Sequence, residues 1–115
     1  MNEFLVVFRR DYQTPELQPG TEQLREHLKH WADWFRSLAA QDKLAQPVQR
    51  YDSEGKVISR QQVTSGPFTA RRNSVGNLLL LRAQDYQQAI ALAQGCPILD
   101  LGGTVEIRQV MHRPG

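Results

Sequence analysis

Glu3-Phe4-Leu5-Val6-Val7-Phe8-Arg9 and Asn77-Leu78-Leu79-Leu80-Leu81-Arg82 are the stretches that decide the fold. Each is a short, unbroken apolar run between polar ends. The first is rich in branched and aromatic side chains, which suit a pleated surface. A strand with one face in water alternates apolar and polar residues, and these two do not. Both of their faces are therefore predicted to be buried. The rest of the chain offers two helices, enough to cover one face of a sheet. A second copy of the same sheet is the economical cover for the other face, so the reading is a homodimer with sheets packed face to face. The alternative cover is the 57–76 segment, folded back over the open face.

Working outward, Thr14-Pro15-Glu16 and Pro19-Gly20 are turn signals. Thr21 is a suitable helix N-cap, and Glu22 favours the positive end of the helix dipole. The helix then runs to about Ala40. Leu44 to Asp52 reads as a short strand, which Pro47 places at a sheet edge. Ser53-Glu54-Gly55-Lys56 reads as a hairpin turn, with Val57 to Thr64 as the returning strand. Ser65-Gly66-Pro67-Phe68 breaks the chain again. Asp85 caps a second helix, with Gln88 at the reciprocal position and Gly95 as the C′ residue. Gly102-Gly103 lead into Thr104 to Met111, where Val105 and Ile107 point inward and Glu106 and Arg108 outward. The order is βαβ(β)βαβ: an α+β fold on an antiparallel sheet.

The 115 residues amount to one domain, and 40% hydrophobic with 23% charged residues is an ordinary globular balance. Fourteen Lys and Arg against 12 Asp and Glu leave +2. The bases are scattered, with short pairs at Arg9-Arg10 and Arg71-Arg72, so no nucleic-acid partner is expected. The longest apolar run, Phe4 to Phe8, is far short of the ~18 residues that span a bilayer, so no membrane partner is expected either. That run is also too short for a signal-peptide core, and Glu3 stands where a basic segment belongs. The single cysteine, Cys96, cannot form an internal disulfide, which points to a reducing cytoplasm.

At about 100° per residue, positions 24, 27, 28, 31, 34, 35, 38 and 39 fall within an arc of roughly 140° on the first helix. All but His27 are Leu, Trp, Phe or Ala. His30 lies just outside the arc. Two readings stand. Trp31, Trp34 and His27 line an aromatic pocket whose imidazole moves protons near neutral pH, or the indoles are core and His27 is a hydrogen-bonded boundary residue. His27 and His30 are spaced i, i+3, but a metal site needs a third ligand and none is evident, so no metal is expected. Cys96 falls just past a helix C-terminus, where the dipole disfavours a thiolate. Arg9, at the end of a central strand, holds an anion or forms a salt bridge.

Ser65-Gly66-Pro67-Phe68, Val75-Gly76 with the apolar strand after it, and Gly95-Cys96-Pro97-Ile98-Leu99-Asp100-Leu101-Gly102-Gly103-Thr104-Val105-Glu106-Ile107-Arg108 resemble the YCII-related family, in particular its DGPF branch. Trp31, Trp34, Ser37-Leu38-Ala39 and Lys43-Leu44 resemble that branch's tryptophan-rich helix and the strand after it. The resemblance covers nearly the whole chain. It implies a ferredoxin-like βαββαβ fold with an extra hairpin, dimerising into an α+β barrel, and a cleft between helix and sheet. Relatives by fold include isomerases, lactonases, dehydrochlorinases and monooxygenases that need no cofactor, so none is expected here. DGPF members are often associated with extracytoplasmic-function sigma factors, which implies a regulatory setting.

The sequence departs from the branch where the branch carries acids. Ser65 replaces the motif's Asp, and Thr69-Ala70-Arg71-Arg72-Asn73 replaces a segment with an Ala-Glu pair and Lys-Glu. The family's suspected catalytic histidine falls near Trp31, with His27 and His30 as neighbours. Three lost acids and two gained arginines favour an anionic ligand. The ligand-binding residues expected are Arg9, Trp31, Trp34, Ser65, Phe68 and Arg72, with His27 and His30 as catalytic candidates. The favoured function is a homodimeric small-molecule-binding module. One competitor is a cofactor-independent isomerase or lyase that uses a helix-1 histidine as acid and base on a small anionic or aromatic substrate. The other is a protein that acts only through its interaction surface.

Overall fold

A computed structural model describes residues 1–12, 14–46, 49–51, 55–66 and 73–111. The chain opens on β1 (Asn2–Asp11), one of the two central strands of the main sheet. Helix α1 (Thr21–Ala40) follows, then β2 (Gln49–Arg50), β3 (Gly55–Ile58), β4 (Val63–Gly66), β5 (Asn73–Ala83), α2 (Tyr86–Ala93) and β6 (Thr104–Gln109). Short 3₁₀ turns cover Pro15–Leu17 and Pro97–Leu101. The main sheet has the order β2-β5-β1-β6, antiparallel throughout. With the β3–β4 hairpin set aside, this is the ferredoxin-like βαββαβ arrangement. No helix among the described residues is long and apolar enough to cross a membrane.

Alternation along β1 sends Phe4, Val6 and Phe8 to one face, all fully buried. On β5, Leu81 and Leu79 stand opposite Phe4 and Val6. Trp31 and Leu38 from α1, Ala89 from α2, and Cys96 and Ile98 complete one core. Both helices thus cover the same face. The opposite face carries Leu5, Val7, Leu78 and Leu80, cross-paired as Leu5 with Leu80 and Val7 with Leu78. Val7 is buried, and the three leucines are half-buried.

Four local expectations need correction. The N-cap of α1 is Gly20, and Thr21 is the first helical residue. Glycine is tolerated at this position, and Leu24 N–H closes the first turn on Gly20 O at 2.8 Å. The expected strand over Leu44–Asp52 joins the sheet only through a bridge from Leu44 to Leu81 and through Gln49–Arg50. Five positions separate Leu44 from Gln49 but three separate their partners Leu81 and Leu78, so one continuous ladder is impossible. Pro47 lies outside the described residues.

The remaining two corrections concern the hairpin. Gly55 and Lys56 belong to a strand and not to its turn; Ser53 and Glu54 lie outside the described residues. Val57–Thr64 is two strands, with Ile58 paired to Val63. The turn is the polar run Ser59-Arg60-Gln61-Gln62, where Ser59 N–H donates to Gln62 O at 2.8 Å and Ser59 Oγ accepts from Gln62 N–H at 3.2 Å. A serine that bonds local backbone competes with strand pairing. Every described side chain of residues 55–65 except Val57 is exposed, and residues 73–83 are β5 itself. The described part of the 57–76 segment therefore does not cover the open face.

Asp85 does cap α2. Its Oδ1 accepts from Gln88 N–H at 2.9 Å, and Gln88 Oε1 accepts in return from Gln84 N–H at 2.7 Å. The helix ends at Ala93 with Gln94 as C-cap, which leaves Gly95 at C′.

Candidate functional site at the open end of the first helix

Helix α1 carries Leu24, Leu28, Trp31 and Phe35 at intervals of three and four, so they share one face. The two ends of that face differ. Trp31 and Leu38 are buried, whereas Leu24 and Leu28 remain 40% and 48% exposed. The first turns of the helix present apolar surface that the sheet does not close.

His27 stands one turn before Trp31. Trp31 Nε1–H donates to His27 Nε2 at 2.6 Å. An accepting nitrogen carries no proton, so this bond assigns the ring proton of neutral His27 to Nδ1. Burial holds the His27 pKa below the ordinary 6.5; repulsion from Arg10 adds to that, Asp100 acts in the opposite sense, and His30 adds a smaller repulsion. The Trp31 bond also favours the neutral ring, which alone can accept it.

Arg10 is the group that sequence reasoning missed. It lies on the helix-facing side of β1 with Phe4, Val6 and Phe8, and is 9% exposed. Its Nη1 donates to Gln18 Oε1 at 3.0 Å and to Asp11 O at 3.3 Å. The guanidinium carbon lies 4.0 Å from the centre of the Tyr12 ring. The Asp11 carboxylate accepts from Thr14 N–H and Thr14 Oγ1 at 2.9 and 2.7 Å, and Gln18 Nε2 donates to the Asp11 and Thr14 carbonyls. That turn brings Gln18 back to Arg10. A Cβ on Gly76 would collide with the Tyr12 hydroxyl and lie 2.8 Å from its Cζ, so only glycine admits the ring there. Gly76 is also the surplus residue of a bulge: Phe8 pairs with Asn77, and Arg9 with Val75.

Arg9 is not part of this group. It lies on the face away from the helices, where Nη1 meets Glu106 Oε1 at 2.5 Å, and Arg108 Nε holds Glu106 Oε2 at 2.7 Å. Hydrogen bonds from Arg108 and Arg9 keep the Glu106 carboxyl below its usual range. His30 is exposed. Trp31 packs edge-on against Phe8 with centroids 5.1 Å apart, within the core. Trp34 Nε1–H donates to Leu92 O at 3.2 Å. Both indole N–H groups are thus used inside the protein. Ser65 sits on the separate hairpin, where Lys56 Nζ reaches its Oγ at 3.3 Å. Phe68, Arg71 and Arg72 lie outside the described residues. Burial pushes the Cys96 thiol up to about 12, which leaves no thiolate for chemistry. No group of three or more His, Cys, Asp or Glu that could hold a metal ion is found among the described residues.

The structure therefore joins His27 and Trp31, with Arg10 and Asp100 near enough to act on His27 by charge. The Arg10 position had a signal in the sequence. If Phe4, Val6 and Phe8 face the helix, strand period places Arg10, not Arg9, on that side.

A search of the curated proteins finds no sequence match. Among solved structures, the chain is similar to 5-chloro-2-hydroxyhydroquinone dehydrochlorinase from Burkholderia phenoliruptrix AC1100, in complex with 2,5-dihydroxybenzoquinone. The TM-score is 0.50 at 18% identity, over 96% of this chain and 95% of that one. This likeness supports the ferredoxin-like α+β fold. The model of the YCII-related domain matches residues 4–113. On that match, which takes in nearly every residue from β1 to β6, the protein belongs to the YCII-related family.

Proposed function

We propose that the protein is a small-molecule-binding module of the DGPF branch that works as a cytoplasmic homodimer, with its site at the open end of the layer between α1 and the sheet. The observation that carries this reading is the exposed apolar stretch of α1 that ends on His27. Leu24 and Leu28 stand uncovered there above the buried Trp31. Such a half-closed apolar surface with a few fixed polar groups is the usual form of a small-ligand site. The dimer rests on the other face, where Leu5, Val7, Leu78 and Leu80 form an apolar patch with no helix over it. The branch rests on the motif residues around Ser65 and Gly95, and a regulatory role beside a sigma factor rests on the branch.

The competing enzyme reading keeps two observations in its favour. His27 is neutral near pH 7, as a general base must be, and the structural neighbour is a dehydrochlorinase. Against it, Nε2 is already bonded to Trp31. As placed, His27 offers a donor and not a base.

Native mass spectrometry of gently purified protein tests the proposal. The expected species has twice the 13.2 kDa chain mass and carries a small molecule that is lost on denaturation. A monomer mass overturns the dimer. A co-purifying protein with no small molecule retained overturns the binding reading in favour of an interaction role.

A further inference from the structure

We infer that Arg10 is the anion-recognition residue of this site, which takes a small organic carboxylate with an apolar body, held by the Arg10 guanidinium. The inference rests on the small-molecule-binding reading and names the chemical class of the ligand.

Arg10 supplies the first argument. Arginine is almost never buried unless paired, and this one is 9% exposed. None of the ion pairs among the described residues includes it. The partners of Nη1 are a side-chain amide and a backbone carbonyl, both neutral. No fully buried polar side-chain atom among the described residues lacks a partner. A guanidinium nitrogen without a partner therefore keeps some contact with solvent, where a ligand oxygen can meet it.

The surroundings supply the second argument. The guanidinium carbon lies over the Tyr12 ring and Nη1 is tied to Gln18 and Asp11, and a planar guanidinium fork matches a carboxylate through two parallel bonds. Arg10 acts on the His27 ring by charge, and with Nε2 tied to Trp31 that ring has only Nδ1–H to offer. A guanidinium fork, with a ring that offers a donor within range of its charge, suits an oxyanion. Leu24 and Leu28 present apolar surface on the same helix for the body of the ligand. Asp100, in the Pro97–Leu101 turn, and His30, on α1, also act on His27 by charge. The Asp100 charge disfavours a doubly charged phosphate more than a singly charged carboxylate.

Benzoate, its neutral isostere benzamide and inorganic phosphate are the probes, titrated into the full chain by ligand-detected NMR with a parallel thermal-shift series. Benzoate is expected to bind, with benzamide and phosphate each about 10- to 100-fold weaker, the range of charge-assisted hydrogen bonds. The R10M substitution is expected to bring benzoate down to the level of benzamide. Without ligand R10M should melt lower than the native protein, because it removes the donor to Gln18 Oε1 and the contact with Tyr12, so its thermal shifts are read against its own unliganded melt. Equal binding of benzoate and benzamide by the native protein overturns this inference and leaves the binding reading standing. Binding of neither, with phosphate also silent, overturns both. The comparison on native protein decides the matter even where R10M does not fold.

Discussion

The Trp31 indole N–H and the His27 Nε2 sit 2.6 Å apart on adjacent turns of one helix, and protonating His27 ends that bond. Burial, with help from Arg10, keeps the folded-state pKa of His27 below 6.5, while Asp100 opposes this and His30 adds slightly to it. The unfolded chain binds the proton more readily. The contribution of His27 to stability is therefore complete above pH 6.5 and is lost as pH falls through 6.5 toward the depressed folded value. Thermal melts from pH 8 to pH 5 should show this fall, and His27→Gln should flatten it. In NMR spectra the Trp31 indole N–H should titrate with the His27 ring, at a midpoint below 6.5. A midpoint at or above 6.5 would refute the arrangement. Arg9 and Arg10 show why this site was only half legible in the sequence. The aromatic helix face and His27 followed from spacing at 3.6 residues per turn. Phe4 to Phe8 is apolar at every position, so it hid the strand alternation that separates the two arginines. The return of Gln18 and the bulge at Gly76 are tertiary facts with no local sequence signal.

Element boundaries were legible where side chains bond their own backbone. Asp85 and Gln88 announce α2, and the structure makes both of their bonds. Asp85→Ala should destabilise the protein by about 1 kcal/mol in chemical denaturation, with no change in assembly. The β3–β4 hairpin was misplaced because Ser53-Glu54-Gly55-Lys56 and Ser59-Arg60-Gln61-Gln62 are both turn-like, and propensity does not rank them. Only the pairing of Ile58 with Val63 does. The passage into β6 depends on Gly103. A Cβ there would stand 2.7 Å from Arg9 O and 2.9 Å from Ile98 O, both backbone atoms that cannot swing aside. Gly103→Ala should cost about 1–3 kcal/mol through overpacking. Unaltered stability would show that β1 and the Pro97–Leu101 turn are free to separate at that point.

Across the whole molecule, the open sheet face is the feature that a single chain leaves unresolved. Leu5 and Leu80, and Val7 and Leu78, are paired across β1 and β5 on a side that neither helix reaches, and the exposed β3–β4 hairpin does not take their place. Arg9, Glu106 and Arg108 form the polar margin of that face. An apolar centre with a charged rim is the anatomy of a protein interface, and a two-fold contact needs only that the patch complement itself. Leu80→Glu separates the possibilities. In a monomer, a charge at a half-buried surface position costs little, and neither mass nor melting changes much. In a face-to-face dimer it sets two carboxylates into an apolar interface. The expected outcome is a fall from twice 13.2 kDa to the single-chain mass by native mass spectrometry or light scattering, with the far-ultraviolet circular dichroism of α1 and α2 retained. A variant that stays dimeric would move the interface off this face and would place the contact at the exposed Ile58 and Val63 of the hairpin instead, residues that are 77% and 62% uncovered in the single chain.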